Sequence, residues 1–297
     1  MRDAADQEAR LLALTRAEAD PAFRRRAVWA LSRLEAAPGQ RVLEVGSGLG
    51  SLLILLRKAV DVWTVAADFD LERLVRARRS GYGGAAVVGD AGNLPFRGAA
   101  FDRCLICEVL EHLEDDAAAL REIKRVTRGD GRVALTVPNA RYPASWDPVA
   151  RVLEAVGIQP PRSGFYVGIW YGHRRLYAEE TLVALASACG WRVREQARIG
   201  RGGFPLAHFL LYGVGKRLLE AGLLGGRATA SVGRGARGAN SLPCVHPVAW
   251  PLAVLQWCDA RSEVKAARSR RSVHLGVLLV PPGAPPAPID QRSHFES

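Results

Sequence analysis

Acidic side chains stand where apolar runs of this sequence end, beside glycines. Glu44 precedes Gly46-Ser47-Gly48-Leu49-Gly50. Glycines at every second position let the backbone turn tightly and let a ligand approach with no side chain in the way. A dinucleotide loop would read GxGxxG, with a diphosphate on the following helix N-terminus. Here the third glycine comes one residue early, Ser51 takes the later place, and Glu44 disfavours a diphosphate. An acid at that point suits a ligand carrying an ammonium and a sulfonium. Asp68 ends the second apolar run, 22 residues after Gly46, where a carboxylate can accept hydrogen bonds from both ribose hydroxyls. Bonds of this charged kind contribute about 1.5–3 kcal/mol each. Asp90-Ala91 closes the third run and can hold an adenine amine. One acid at one strand end is commonly only solvated; three in succession point to a positively charged nucleoside.

Past the fourth run, Glu108, Glu111 and His112 lie at i, i+3 and i+4 in Glu108-Val109-Leu110-Glu111-His112. On a helical turn this spacing converges on one face. His112 is the candidate general base, since imidazole titrates near neutral pH. Its plainer role would be to cap the next helix or to bond the loop backbone. Two carboxylates and an imidazole also suit Mg²⁺ or Mn²⁺, with His173 as a further ligand.

The elements that must position these residues follow from periodicity. Helices are expected over 8–18 and 20–36, the second opened by Asp20-Pro21, an N-cap followed by a proline at the first helical position. Apolar strand-like runs at 41–45, 62–67, 85–88, 103–107 and 132–137 alternate with helical stretches at 49–58, 71–80 and 115–128. Continuous apolar strands separated by helices indicate a parallel sheet covered on both faces. Residues 140–175, rich in Pro, Gly and aromatics, are expected to form a loop-rich cap. A helix at 178–189, a strand at 191–199 and a final strand at 272–280 follow. Cys104 and Cys107 form a CxxC, but residues three apart on a strand face opposite ways, so both belong to the core.

The chain has 297 residues and a net charge of +11. Residues 1–150 hold 22 Lys/Arg against 21 Asp/Glu, whereas residues 151–297 hold 19 against 9. Most of the excess lies in 192–275, with 14 basic residues against four acids. Within it, Gly203–Gly215 and Gly238–Cys258 are uncharged; the first is too short to span a bilayer, which needs about 20 residues, and prolines break the second. A helical lid over an acceptor pocket is the favoured reading of 200–271, because apolar helical segments mostly pack on their own domain. Peripheral contact with an anionic membrane is the other, each basic residue adding about 1 kcal/mol. Few aromatics stand among the basic residues and no RNA-binding motif is present, which argues against a nucleic-acid partner. An odd number of cysteines, five, and the lack of an apolar stretch at the N-terminus fit a cytoplasmic protein with reduced thiols.

The runs VLEVGSGLG, AADFD, GDAGNLPF, FDRCLICEVLEHL, ALREIKRVTRGDGRVALTVPN and GHRRLYAEETL resemble the class I S-adenosylmethionine-dependent methyltransferases of the type 11 and ubiquinone-biosynthesis-like group, over about residues 38–195. The resemblance implies an α/β, Rossmann-like, seven-stranded and mostly parallel sheet with helices on both faces and an antiparallel last strand. It implies a donor pocket lined by Glu44, Gly46, Gly48, Asp68, Phe69, Asp90 and Ala91, to which Ser47, Gly50 and Glu108 are added. EVLEHL occurs in relatives with no known metal, where Glu108 belongs to the donor pocket, so no metal ligand is assigned. The expected organisation is N-terminal helices over 1–37, a core over 38–199 with 272–281, a helical insertion over 200–271 and a disordered tail over 282–297. The expected activity is methylation, at oxygen, of a small hydrophobic or lipid-like acceptor. The alternatives are a metal-assisted RNA 2′-O-methyltransferase and a non-catalytic, membrane-docked S-adenosylmethionine-binding protein. The oligomeric state is left open.

Overall fold

The computed structural model describes residues 2–16, 18, 20–164, 168–201, 261 and 269–284. The expected insertion over 200–271 therefore lies almost wholly outside the described residues, as do Phe165 and Tyr166 of the cap.

Two helices open the chain, α1 (Arg2–Leu14) and α2 (Pro21–Leu34). The side chain of Asp20 accepts from the backbone N–H groups of Ala22 and Phe23, which caps α2 at the Asp-Pro signature. There follow β1 (Arg41–Val45), α3 (Ser51–Ala59), β2 (Trp63–Asp68), α4 (Leu71–Arg79), β3 (Ala85–Val88) and β4 (Phe101–Cys107). A 3-10 turn at Leu110–His112 leads to α5 (Asp116–Val126), β5 (Thr127–Pro138), α6 (Pro148–Ala155), α7 (Glu179–Ala188), β6 (Arg192–Ile199) and β7 (His274–Val280). The strands form one seven-stranded sheet in the order β3-β2-β1-β4-β5-β7-β6. Strands β1 to β5 pair in parallel, and β7 runs antiparallel to both β5 and β6.

The period-two alternation of the strands sorts their side chains into two cores. Leu43, Val45, Cys104, Ile106, Val133 and Leu135 pack with α5 and α7 on one face. Val42, Leu105 and Ala134 pack with α1, α2 and α3 on the other, and Cys107 lies against that second cluster. The CxxC is thus split across the sheet, as its spacing predicts. On the α2 face Gly276 of β7 lets Trp29 lie against the strand; a Cβ there would stand 2.7 Å from the indole ring.

The structure departs most from the sequence reading at three places. The first helix covers 2–14 rather than 8–18. The region 140–175 contains α6, a helix not anticipated; Asp147 accepts from the Ala150 backbone N–H to cap it ahead of Pro148, the same Asp-Pro device that marks α2. The chain beyond 281 was expected to be disordered, yet residues 281–284 fold against β6. Ala284 is buried, donates its N–H to the Pro281 carbonyl and accepts from Arg192. Residues from 285 onward lie outside the described part.

Candidate functional site

The carboxyl ends of β1, β2 and β4 meet where the central strand order reverses, the position at which open α/β sheets hold their ligands. The glycine loop after β1 turns through three positive φ angles, +67° at Gly46, +54° at Gly48 and +67° at Gly50. Each glycine has its own reason. A Cβ on Gly46 would meet Val109 Cγ2 at 2.3 Å, while one on Gly48 would meet nothing within 4 Å. Gly46 is needed for packing, and Gly48 opens onto space a ligand can enter. Gly50 forms the N-terminal boundary of α3 with no side-chain cap, which leaves the helix start open to an anionic group.

Asp68 at the tip of β2 is 2% exposed. Its Oδ2 accepts the Gly48 N–H at 2.7 Å and its Oδ1 accepts the Asp70 N–H at 3.0 Å. This carboxylate clasps the glycine loop, a role the sequence did not reveal, and each oxygen keeps a second lone pair for a hydroxyl. Two buried polar atoms beside the clasp have no partner, Glu44 Oε2 and Ser47 Oγ. Burial pushes the Glu44 carboxyl up to about 8, against the pull of the Leu53 backbone N–H and with Asp68 adding to the rise. Orphaned buried acceptors of this kind need an occupant. The loop thus fits a ligand with a cationic amino-acid end and a ribose.

Further along the rim, the Phe69 ring is 74% exposed, with the Arg73 guanidinium 5.9 Å from its centroid. Asp90 lies two residues past the end of β3, exposed, its Oδ1 accepting the Gly92 N–H at 2.9 Å. Ala91 is buried beneath it. Asp90 was expected to close the strand itself; the strand stops at Val88 and Asp90 instead anchors the following turn.

Glu108, Glu111 and His112 do not converge as one helical face. Glu108 sits at φ +57°, a left-handed conformation uncommon for a non-glycine residue and costing of the order of 1–3 kcal/mol. This turn sends its carboxylate toward the sheet. There it accepts from Thr136 Oγ1 at 3.0 Å, with His274 Nε2 at 3.2 Å and Arg26 Nη1 at 3.7 Å. Burial would raise its carboxyl, but the charges of His274 and Arg26 outweigh it and hold Glu108 well below the usual carboxylate range. Arg26 from α2 and His274 from β7 are 248 residues apart, and no local signal in the sequence links them.

Glu111 and His112 lie in the 3-10 turn and meet His173 from the far end of the cap. Glu111 is 0% exposed, and neither carboxylate oxygen reaches a hydrogen-bond partner. Burial, with Glu108 adding, pushes its carboxyl well above the ordinary range. His112, its side chain 45% exposed, places Nδ1 at 2.8 Å from the Gly172 carbonyl. His173 places Nδ1 against the Ile169 carbonyl. Burial pushes its imidazole down to about 4, so the ring is neutral. Each carbonyl can only accept, which makes Nδ1 the protonated nitrogen and leaves Nε2 unprotonated on the neutral ring. Both Nε2 atoms stand 4.0 Å from Glu111 Oε1.

Residues 43–135 match a protein family described as a methyltransferase domain. The chain is 41% identical over 106 residues to demethylmenaquinone methyltransferase of Mycolicibacterium paratuberculosis, covering 35% of this chain and 44% of that one. It spans about half the length of the curated relatives it matches. Among solved structures, the fold is similar to the cyclase SpnF, with a TM-score of 0.54 at 17% identity, over 86% of this chain and 80% of that chain. It is also similar to Haemonchus contortus phosphoethanolamine N-methyltransferase 2 in complex with S-adenosyl-L-methionine, with a TM-score of 0.51 at 15% identity, over 86% of this chain and 52% of that one. A cyclase and an N-methyltransferase share the fold, so the fold alone does not name the reaction. The glycine loop and the acidic tips of β1 and β2 fall within this matched segment, which is similar to a methyltransferase domain, and the strand order is that of the similar solved structures.

Proposed function

We propose that the protein transfers a methyl group from S-adenosylmethionine to the oxygen of a small, hydrophobic, lipid-like acceptor of the quinone kind. The observation that carries the reading is the donor cradle: Gly48 opens onto free space beside two orphaned buried acceptors, Glu44 Oε2 and Ser47 Oγ. Glu44 takes the donor's ammonium, Asp68 the ribose hydroxyls with its remaining lone pairs, and Asp90 the adenine amine. Phe69 covers the base, while Gly46, Gly50, Ala91 and Glu108 shape the wall. The donor supplies an electrophilic methyl carbon that leaves its sulfonium as a neutral thioether.

Since the donor arrives activated, the chain's task is to align the acceptor oxygen behind that carbon. His112 Nε2, the ring nitrogen not engaged by the Gly172 carbonyl and on the exposed side of the turn, receives the acceptor's hydroxyl proton. The described part of the cap over 140–175 lies beside this turn, where His173 approaches His112, and supplies the acceptor side of the site. The relatives named demethylmenaquinone methyltransferases support an acceptor of the quinone class. No helix among the described residues is long and apolar enough to cross a membrane; peripheral contact with an anionic membrane, which the basic excess of 192–275 supports, is tested by liposome flotation. Incubation with methyl-labelled donor and fractionated lysate tests the activity itself: label in the lipid fraction supports the reading, and label confined to RNA or protein overturns the acceptor class.

A further inference from the structure

The geometry points to a second ligand site, in a groove between α1 and α2, that binds a free carboxylic acid with an apolar chain. The cavity there measures about 340 Å³, at the small end of the roughly 300–1,000 Å³ that small-molecule sites occupy. No residue of the donor cradle lines it, so the inference stands apart from the function proposed above.

Three observations carry the site. First, the indole of Trp29 lines the cavity, and its Nε1 is buried with no hydrogen-bond partner. The ring is packed against β7 at Gly276, where a Cβ would stand 2.7 Å from it. An indole N–H can only donate, and leaving a buried donor unmade is costly, so the group this site lacks is an acceptor. Second, the lining is more positive than negative. Arg24, Arg25 and Arg33 set three guanidinium groups against the two carboxylates of Glu8 and Glu18, and Glu8 is already paired with Arg33 at 3.7 Å. An anionic acceptor is therefore favoured over a neutral one, and a carboxylate has oxygens enough for both the indole N–H and a guanidinium. Third, the rest of the lining is apolar. Leu12 of α1 contributes to it together with Pro21 and Val28 of α2, and Leu12 is left 43% exposed. An apolar chain laid between the two helices removes this surface from water.

Such an occupant ties α1 to α2, and α2 is the helix whose Arg26 reaches Glu108. A ligand that binds only the folded chain raises its unfolding midpoint, so occupancy is readable without any assay of methyl transfer.

The test is calorimetric titration of the full chain with octanoate and with decanoate, both kept below micelle-forming concentrations, and thermal melts in the same solutions. One molecule per chain is expected, with affinity rising about fourfold for each added methylene and the unfolding midpoint rising with decanoate. Trp29→Phe, which keeps a ring and removes the N–H, should weaken decanoate at least about tenfold, the equivalent of one charged hydrogen bond. Leu12→Asp, at an exposed position, should weaken it by about as much through like-charge repulsion and gives the readout should the Trp29 variant fail to fold. No uptake of either acid, equal uptake by wild type and Leu12→Asp, or association only with anionic phosphatidylglycerol vesicles overturns the site. Donor affinity in Leu12→Asp should equal that of wild type; a parallel loss would overturn the independence of the two sites.

Discussion

Gly48 gives its backbone N–H to Asp68 Oδ2 at 2.7 Å, so the acid that marks the tip of β2 also fastens the loop that follows β1. Loop shape therefore depends on this carboxylate, and on the proposed function so does ribose binding. Asp68→Ala should weaken S-adenosylmethionine binding at least about tenfold, the equivalent of one charged hydrogen bond. Gly48→Val should do the same by filling the open space with a side chain at a positive φ. Calorimetric affinities equal to wild type in both variants would contradict this.

Glu44 makes donor affinity depend on pH. With its carboxyl raised to about 8, the group is protonated in the free protein at neutral pH, whereas the donor's ammonium favours the ionised form. Binding must then release a proton, and affinity should climb by up to about tenfold per pH unit below 8 and level off above it. Glu44→Gln should flatten that profile. Titrations in buffers of different ionisation enthalpy check the proton count, and zero released at pH 7 would refute the assignment.

Arg26 and His274 hold Glu108 ionised. The folded carboxyl lies below its ordinary range, so its contribution to stability is present above the unfolded pKa and is lost as pH falls through the folded one. Arg26→Met removes one partner of a mostly buried pair. It should destabilise the protein by a few kcal/mol near neutral pH and less at pH 3, below the unfolded carboxyl's range, where the unfolded chain and the variant take up a proton that the folded wild-type Glu108 still refuses. Denaturant melts at pH 7 and pH 3 give the comparison; equal losses at both would count against the network.

Gly276 and Trp29 fix α2 to the sheet. A Cβ at Gly276 would approach the indole to 2.7 Å, and overpacking of this sort costs about 1–3 kcal/mol. Gly276→Ala should lower the unfolding midpoint, and Gly276→Ala with Trp29→Leu should recover part of the loss. A single variant as stable as wild type would show that α2 is free to shift.

The sheet was legible because its strands are continuous apolar runs bounded by glycines and acids, a local signal. RVLEV and AAVV form strands over the very residues expected. The glycine loop was legible for the same reason: Glu44, Gly46, Gly48 and Asp68 stand within a few residues of strand ends. The second helix could be found from Asp20-Pro21, and Asp147-Pro148 carried the same mark for α6, hidden by the surrounding prolines and aromatics. What spacing could not show is how the chain leaves β4. A helical turn starting at Glu108 would have pooled all three side chains of the cluster. The positive φ at Glu108 divides them instead, sending Glu108 to Arg26 and His274 and Glu111 to the histidines. Contacts such as Arg26 with His274, closed only by the folded sheet, leave no trace in local sequence.

The most direct measurement is the fate of the methyl label. Wild-type protein incubated with labelled S-adenosylmethionine and a lysate lipid fraction should transfer label to a lipid-like acceptor, and Asp68→Ala should abolish that transfer. Tight donor binding with no label in any fraction would contradict the account.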